Sequence, residues 1–128
     1  MKQRANYLGA PAFFNLDQAC RALVDAFGSN FYLVGSCLTT RDYRDVDVRC
    51  ILPDEEYDAL FGKEILNAAH NARLCMLNVA ISTWLVEHSR LPVDFQFQRR
   101  TEANAEYPRT AGHDRNALGI FFVQKGIM

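Results

Sequence analysis

The run Asp45-Val46-Asp47-Val48-Arg49-Cys50-Ile51-Leu52-Pro53 alternates with a period of two. Val46, Val48, Cys50 and Leu52 fall on one face of an extended strand, and Asp45, Asp47 and Arg49 on the other. Pro53, with no N–H to give a ladder, closes the strand. Aspartate is depleted in strands, so two of them one residue apart in a half-buried strand call for compensation. Adjacent outward positions lie roughly 6–7 Å apart. Ionised carboxylates at that spacing repel modestly in water and several times more strongly in a half-buried site. A hard divalent cation relieves the repulsion, because Mg²⁺ takes oxygen ligands from a few carboxylates and from substrate phosphates. A solvated strand face and a surface calcium site are the competing readings of the same tripeptide.

Upstream, Phe31-Tyr32-Leu33-Val34 is short and apolar and ends at Gly35-Ser36, as a buried strand running into a tight turn does. Glycine there lets backbone N–H groups approach an anion, and the serine hydroxyl adds a donor. A helical turn begun after Ser36 would aim its positive end the same way. The polar linker 37–44 carries Arg41 and Arg44, candidates for bidentate phosphate contacts or plain solvated loop charges. Tyr43 suits base stacking or packing.

Downstream, Pro92 leads a third strand with Val93, Phe95 and Phe97 on one face and Asp94, Gln96 and Gln98 on the other. If strands 46–52 and 93–98 are sheet neighbours, Asp94 joins Asp45 and Asp47. Three such carboxylates can hold two metal ions about 3.5–4 Å apart, the arrangement that steadies attacking and leaving oxygens in phosphoryl or nucleotidyl transfer. The alternative for Asp94 is an ion pair with Arg49.

The remaining chain supplies the frame. Asn15 as N-cap and Gln18 three residues later predict a helix through Phe27, stopped by Gly28. A short helix opens at Pro53-Asp54-Glu55-Glu56 and runs through Leu60 to Gly62, with its acids near the N-terminus. Lys63 to about His88 reads as one long helix or two, apolar nearly all round from Leu74 to Val86. Such a helix is buried on more than one side, between sheet and helix or between subunits, with Met76 and Trp84 as core or interface residues. His70 and His88 read as structural. Periodicity disappears from Arg99 to Ala117, a length that is either functional or disordered. Arg99, Arg100, Arg109 and Arg115 are candidates there for triphosphate or acceptor contacts. Tyr107–His113 is a candidate lid, and Leu118–Val123 a last short strand.

A length of 128 residues fits a single domain, 1–128, with its core in 16–98 and 99–128 as a basic extension or lid. Residues 99–128 hold five Arg and Lys against three acids, and the preceding part nine against twelve. The tail is therefore the end suited to an anion. An apolar share of 49% with 23% charged residues excludes disorder. A net charge of −1 gives no global signal for duplex nucleic acid or an anionic membrane. Cys20, Cys37, Cys50 and Cys75 contain no C-x-x-C and read as free buried thiols of a reducing compartment. The apolar patch Leu8–Phe14 is interrupted by Pro11 and is no secretory signal. The longest apolar run falls short of the ~20 residues of a membrane span. A cytoplasmic protein is expected.

Together, Leu33-Val34-Gly35-Ser36, Asp45-Val46-Asp47-Val48 and Val93-Asp94-Phe95 resemble the motif of a minimal nucleotidyltransferase of the DNA polymerase β-like superfamily, over about residues 16–98. The resemblance implies an α/β (α+β) fold, a small mixed β-sheet carrying the carboxylates and backed by helices. It implies Mg²⁺-dependent transfer of a nucleoside monophosphate from an NTP to an acceptor, with two Mg²⁺ ions (or Mn²⁺) and pyrophosphate leaving. Asp45 and Asp47 would bind metal, and Asp94 would complete one metal site and help activate the acceptor hydroxyl. Gly35, Ser36, Arg41 and Arg44 would meet the nucleotide phosphates. The acceptor, whether protein, RNA or small molecule, is not named by the sequence. The alternative is a non-catalytic partner protein of the same fold, antitoxin-like and paired with a HEPN-type toxin, for which helix 74–86 offers a homodimer or partner surface. A metal-binding structural domain or a phosphohydrolase is a third reading.

Overall fold

A computed structural model describes residues 6–28, 30–62, 71–108 and 115–120. Among them the elements run α1 (Ala10–Phe27), β1 (Phe31–Val34), a 3-10 turn (Ser36–Leu38), β2 (Val46–Leu52), α2 (Asp54–Phe61), α3 (Ala72–Ser89), β3 (Val93–Arg99), α4 (Arg100–Glu106) and β4 (Asn116–Ala117). The strands form one mixed sheet in the order β3-β2-β1-β4. β2 runs parallel to β3, and β1 runs antiparallel to both β2 and β4. The result is a small mixed α/β domain.

The alternation seen in β2 continues across the sheet. Leu33, Val48 and Phe95 lie side by side, as do Phe31, Cys50 and Phe97. This face is buried against α1 and α3 through Leu16, Ala19, Cys20, Leu74, Ile81 and Leu85. Phe31 stacks on Phe95 at 5.9 Å between ring centroids. Phe97 meets Phe27 and Phe61, each at 5.2 Å, tying α1 and α2 to the sheet. The opposite face carries Tyr32, Arg49 and Gln96 in one row and Val34, Asp47 and Asp94 in the next.

α1 begins six residues before the predicted start. Pro11 reads as a breaker but occupies the first helical turn, where a missing N–H costs nothing. In the region 63–88, residues 63–70, His70 included, lie outside the described residues. α3 starts at Ala72, capped by Asn71, whose side chain accepts from Leu74 N at 3.0 Å. Its face towards the sheet is buried, but Met76 is 72% and Val79 60% exposed. Within the described fold, then, α3 is not buried all round. Cys20, Cys37 and Cys50 are buried free thiols as expected, whereas Cys75 is exposed on α3. His88 is exposed and bonded through Nδ1 to Trp84 O at 2.8 Å.

The segment read as structureless contains α4. Its seven residues offer no apolar period beyond two alanines, Ala103 being fully buried. Polar ties hold it in place. Thr101 N and Oγ1 both donate to Asp54, and Arg99 donates to Asp58 at 3.0 Å and to Glu102 at 3.4 Å. Those bonds from Thr101 hold the Asp54 carboxyl below its usual range. Arg99 is thus engaged with Asp54, Asp58 and Glu102 rather than free for a triphosphate. Arg115 bonds Tyr107 O and Asn104 Oδ1 and lies over the Tyr32 ring. The last strand is Asn116–Ala117, two residues earlier than predicted, and the buried Leu118 follows it. Arg109, His113 and residues 121–123 lie outside the described residues, as does most of the candidate lid.

Among the described residues β3 is an edge strand, and α3 closes its rim. Ser82 Oγ accepts from Phe95 N at 2.9 Å, and Asn78 Oδ1 accepts from Phe97 N at 3.0 Å. Two side chains four residues apart on a helix share one face, and here they stand in for a neighbouring strand. Asn78→Ala leaves a buried N–H without its acceptor, with an expected loss of about 1–3 kcal/mol. Urea unfolding checks it, and a change within experimental error would remove the cap from the stability account.

Candidate active site

The parallel register of β2 and β3 sets Asp47 opposite Asp94. Both project from the outward face near the strands' N-terminal ends. Their side chains are 22% and 44% exposed, and Arg49 stands between them with Nη2 3.8 Å from each carboxylate. Arg49 is itself only 6% exposed. Its Nη1 donates to Val48 O at 3.0 Å and to Asp94 O at 2.8 Å. Two main-chain carbonyls thereby fix the guanidinium so that its other arm faces the acids. The sequence raised Arg49 only as a counter-ion for Asp94, and the structure makes it the counter-ion of both.

Compensation is incomplete. Burial raises the Asp47 carboxyl above its usual range. Arg49 opposes the shift, and Asp94, Asp45 and Glu106 add to it. Negative charge in excess of the resident cation is what a further cation would relieve. Asp45 precedes β2 on the exposed rim. It acts on Asp47 electrostatically, but among the described residues no three His, Cys, Asp or Glu side chains converge closely enough to hold a metal ion. The fold sets Asp47 beside Asp94, with the exposed Asp45 two residues before Asp47.

On the other side of β2, β1 delivers Gly35. Val34 pairs with Asp47, and Gly35 turns with φ +82° and ψ −157°, a conformation essentially confined to glycine. An added Cβ would collide with Asp47 Oδ2. Gly35→Ala is accordingly expected to cost about 1–3 kcal/mol in backbone strain and to displace the carboxylate as well. Thermal unfolding measures the first effect, and an unchanged midpoint would contradict it. Ser36 opens the 3-10 turn at the surface, which meets the condition the sequence left open, with Leu38 N donating to Gly35 O at 3.1 Å. The buried Cys37 lies behind Asp47, and burial pushes its thiol up to about 11. Arg41 and Arg44 are on the exposed loop before β2. Tyr43 packs against the core.

Two further neighbours complete the site: Glu106, which the sequence did not single out, and Tyr107, which it offered only as the first residue of the candidate lid. α4 returns along the outward face and brings Glu106 and Tyr107 to the carboxylates. Tyr107 is half-buried, which raises its phenol, and it interacts electrostatically with Arg49, Glu106 and Asp47. Glu106 accepts from Gln98 Nε2 at 2.7 Å. Between β3 and α4 lies a cleft of about 460 Å³ lined by Gln96, Gln98, Glu102, Glu106 and Tyr57. Gln96 is the next outward position after Asp94, roughly 6–7 Å along the strand, so the cleft begins beside the carboxylate pair.

No protein-family model, curated protein or solved structure matches the chain. No described helix is long and apolar enough to cross a membrane.

Proposed function

We propose that this protein is a nucleotidyltransferase of the DNA polymerase β-like type, moving a nucleoside monophosphate from an NTP to an acceptor hydroxyl with release of pyrophosphate. One observation carries the reading. Asp47 and Asp94 are in register on parallel neighbouring strands, with the Gly35 bend against Asp47. The donor set suits Mg²⁺ or Mn²⁺, because hard carboxylate oxygens carry more negative charge than Arg49 balances. Asp47 and Asp94 would hold the cation, with Asp45 at the rim. Bound there, it would supply Lewis-acid stabilisation of phosphate charge. The chain's own groups do the rest. The acceptor oxygen attacks the α-phosphorus, its proton passes to Asp94, and the bond to the β-phosphate oxygen breaks. Backbone N–H groups at the Gly35-Ser36 bend face the phosphates, and the β3–α4 cleft beside Asp94 is where the acceptor lies.

Pyrophosphate release from each NTP with Mg²⁺ or Mn²⁺, in the presence of a cell extract as acceptor source, tests the proposal. Absence of pyrophosphate with every nucleotide would sink it, and orthophosphate in its place would point to a hydrolase. The non-catalytic alternative draws support from Arg49, a built-in counter-ion 3.8 Å from both acids. It requires that NTP and Mg²⁺ leave the thermal stability of the chain unchanged.

A further inference from the structure

We infer that the outward face of α3 is a self-association surface, on which a second copy of this chain lies antiparallel about a two-fold axis. Ala72, Met76, Val79, Thr83 and Val86 are exposed and spaced alternately by four and three residues. That is the seam of a helix pair. Met76, Val79 and Val86 are 72%, 60% and 37% exposed, and large apolar side chains in one stripe mark an interaction face.

Charge identifies the occupant. Arg73 and Glu87 flank the stripe on the same side, fourteen residues apart and both exposed. In an antiparallel pair the same flank of each helix meets its own copy. Arg73 therefore faces Glu87 of the second copy, and Glu87 faces its Arg73. The two ion pairs close symmetrically, as an isologous interface demands. In this register Met76 packs on Val86, Val79 on Thr83, and Ala80 approaches its own equivalent at the axis. Alanine there lets the helices come close. Parallel packing would instead set this flank against the opposite flank of the second copy, and the two charges would not meet. Among the described residues Arg73 Nη1 donates to Leu60 O at 3.3 Å on the surface, and the guanidinium has further donors for the partner.

Sedimentation equilibrium on the full chain tests the inference independently of any enzymatic activity. A concentration-dependent dimer is expected, which Val79→Arg converts to monomer with an unchanged circular dichroism spectrum, since that side chain is outside the core. Arg73→Glu is expected to weaken association about tenfold, and Arg73→Glu combined with Glu87→Arg to restore it within about threefold. In a Cys75→Ser background, Ala80→Cys should be joined between copies by a short bis-maleimide, since the three remaining cysteines are buried. A chain that stays monomeric up to about 1 mM, a dimer indifferent to Val79→Arg, or a charge swap that restores nothing would each overturn the inference.

Discussion

Asp47→Asn is expected to lower nucleotidyl transfer on the order of a thousandfold, the scale seen when a preorganised charge-stabilising group is removed, while leaving the fold more stable at neutral pH. The two effects have one origin. Asp47 is half-buried beside Asp94, Asp45 and Glu106, and folding raises its carboxyl above the ordinary value even with Arg49 in contact. A group whose acid form is favoured by folding binds its proton more tightly in the native state. Stability contributed by that proton is full at acid pH and falls as pH rises from the unfolded value near 3.8 through the higher folded one. Asparagine keeps the shape and removes the fall. Urea unfolding as a function of pH should thus show wild type and variant converging in acid and separating towards neutrality. Curves that run parallel would contradict the assignment of excess charge to Asp47. Loss of stability at neutral pH would mean that the contact with Arg49 outweighs the repulsion.

Arg49→Met is expected to be the most destabilising single change in the site, by about 2–3 kcal/mol. Removing one partner from a buried ion pair typically costs 3–5 kcal/mol. The lower figure applies here because Asp94 is 44% exposed, so solvent screens part of the repulsion left behind. Two carbonyls, Val48 O and Asp94 O, also lose their donor. Asp47→Asn in the same chain should recover a large part of the loss, since it removes one of the two facing charges. Mg²⁺ should raise the melting temperature of Arg49→Met more than that of wild type if the carboxylates accept a divalent cation. Equal shifts in both would separate Arg49 from the cation site.

The strands were legible because alternation is a local property. Val46 to Leu52 and Val93 to Phe97 each state in sequence which face is apolar, and the structure keeps both assignments. Their adjacency was a condition rather than a result. Nothing within either segment says that β2 takes β3 as a parallel neighbour with Asp47 opposite Asp94. That pairing depends on a crossover including α2 and α3, and on which helices find room against the inner face. α4 left no trace because its docking is polar, through Thr101, Arg99 and Glu106, and apolar periodicity is blind to such contacts. Glu106 was missed for the same reason, and Tyr107 was read only as the start of a candidate lid. Arg49 was visible as a lone cation on a strand face with two aspartates. Its near-complete burial was not, since burial of a charged side chain follows from what covers it. Asn78 and Ser82 lie inside the apolar run Leu74–Val86, where nothing local marks them as the groups that seal β3.

That seal decides how the chain can be joined by others. A sheet whose outermost strand already has its amides at positions 95 and 97 occupied offers no main-chain template to an incoming extended peptide on that side. Recruitment by strand addition, and fibrillar stacking from the same border, are closed off there without any proline or bulge. Any assembly on this flank must instead be made through side chains.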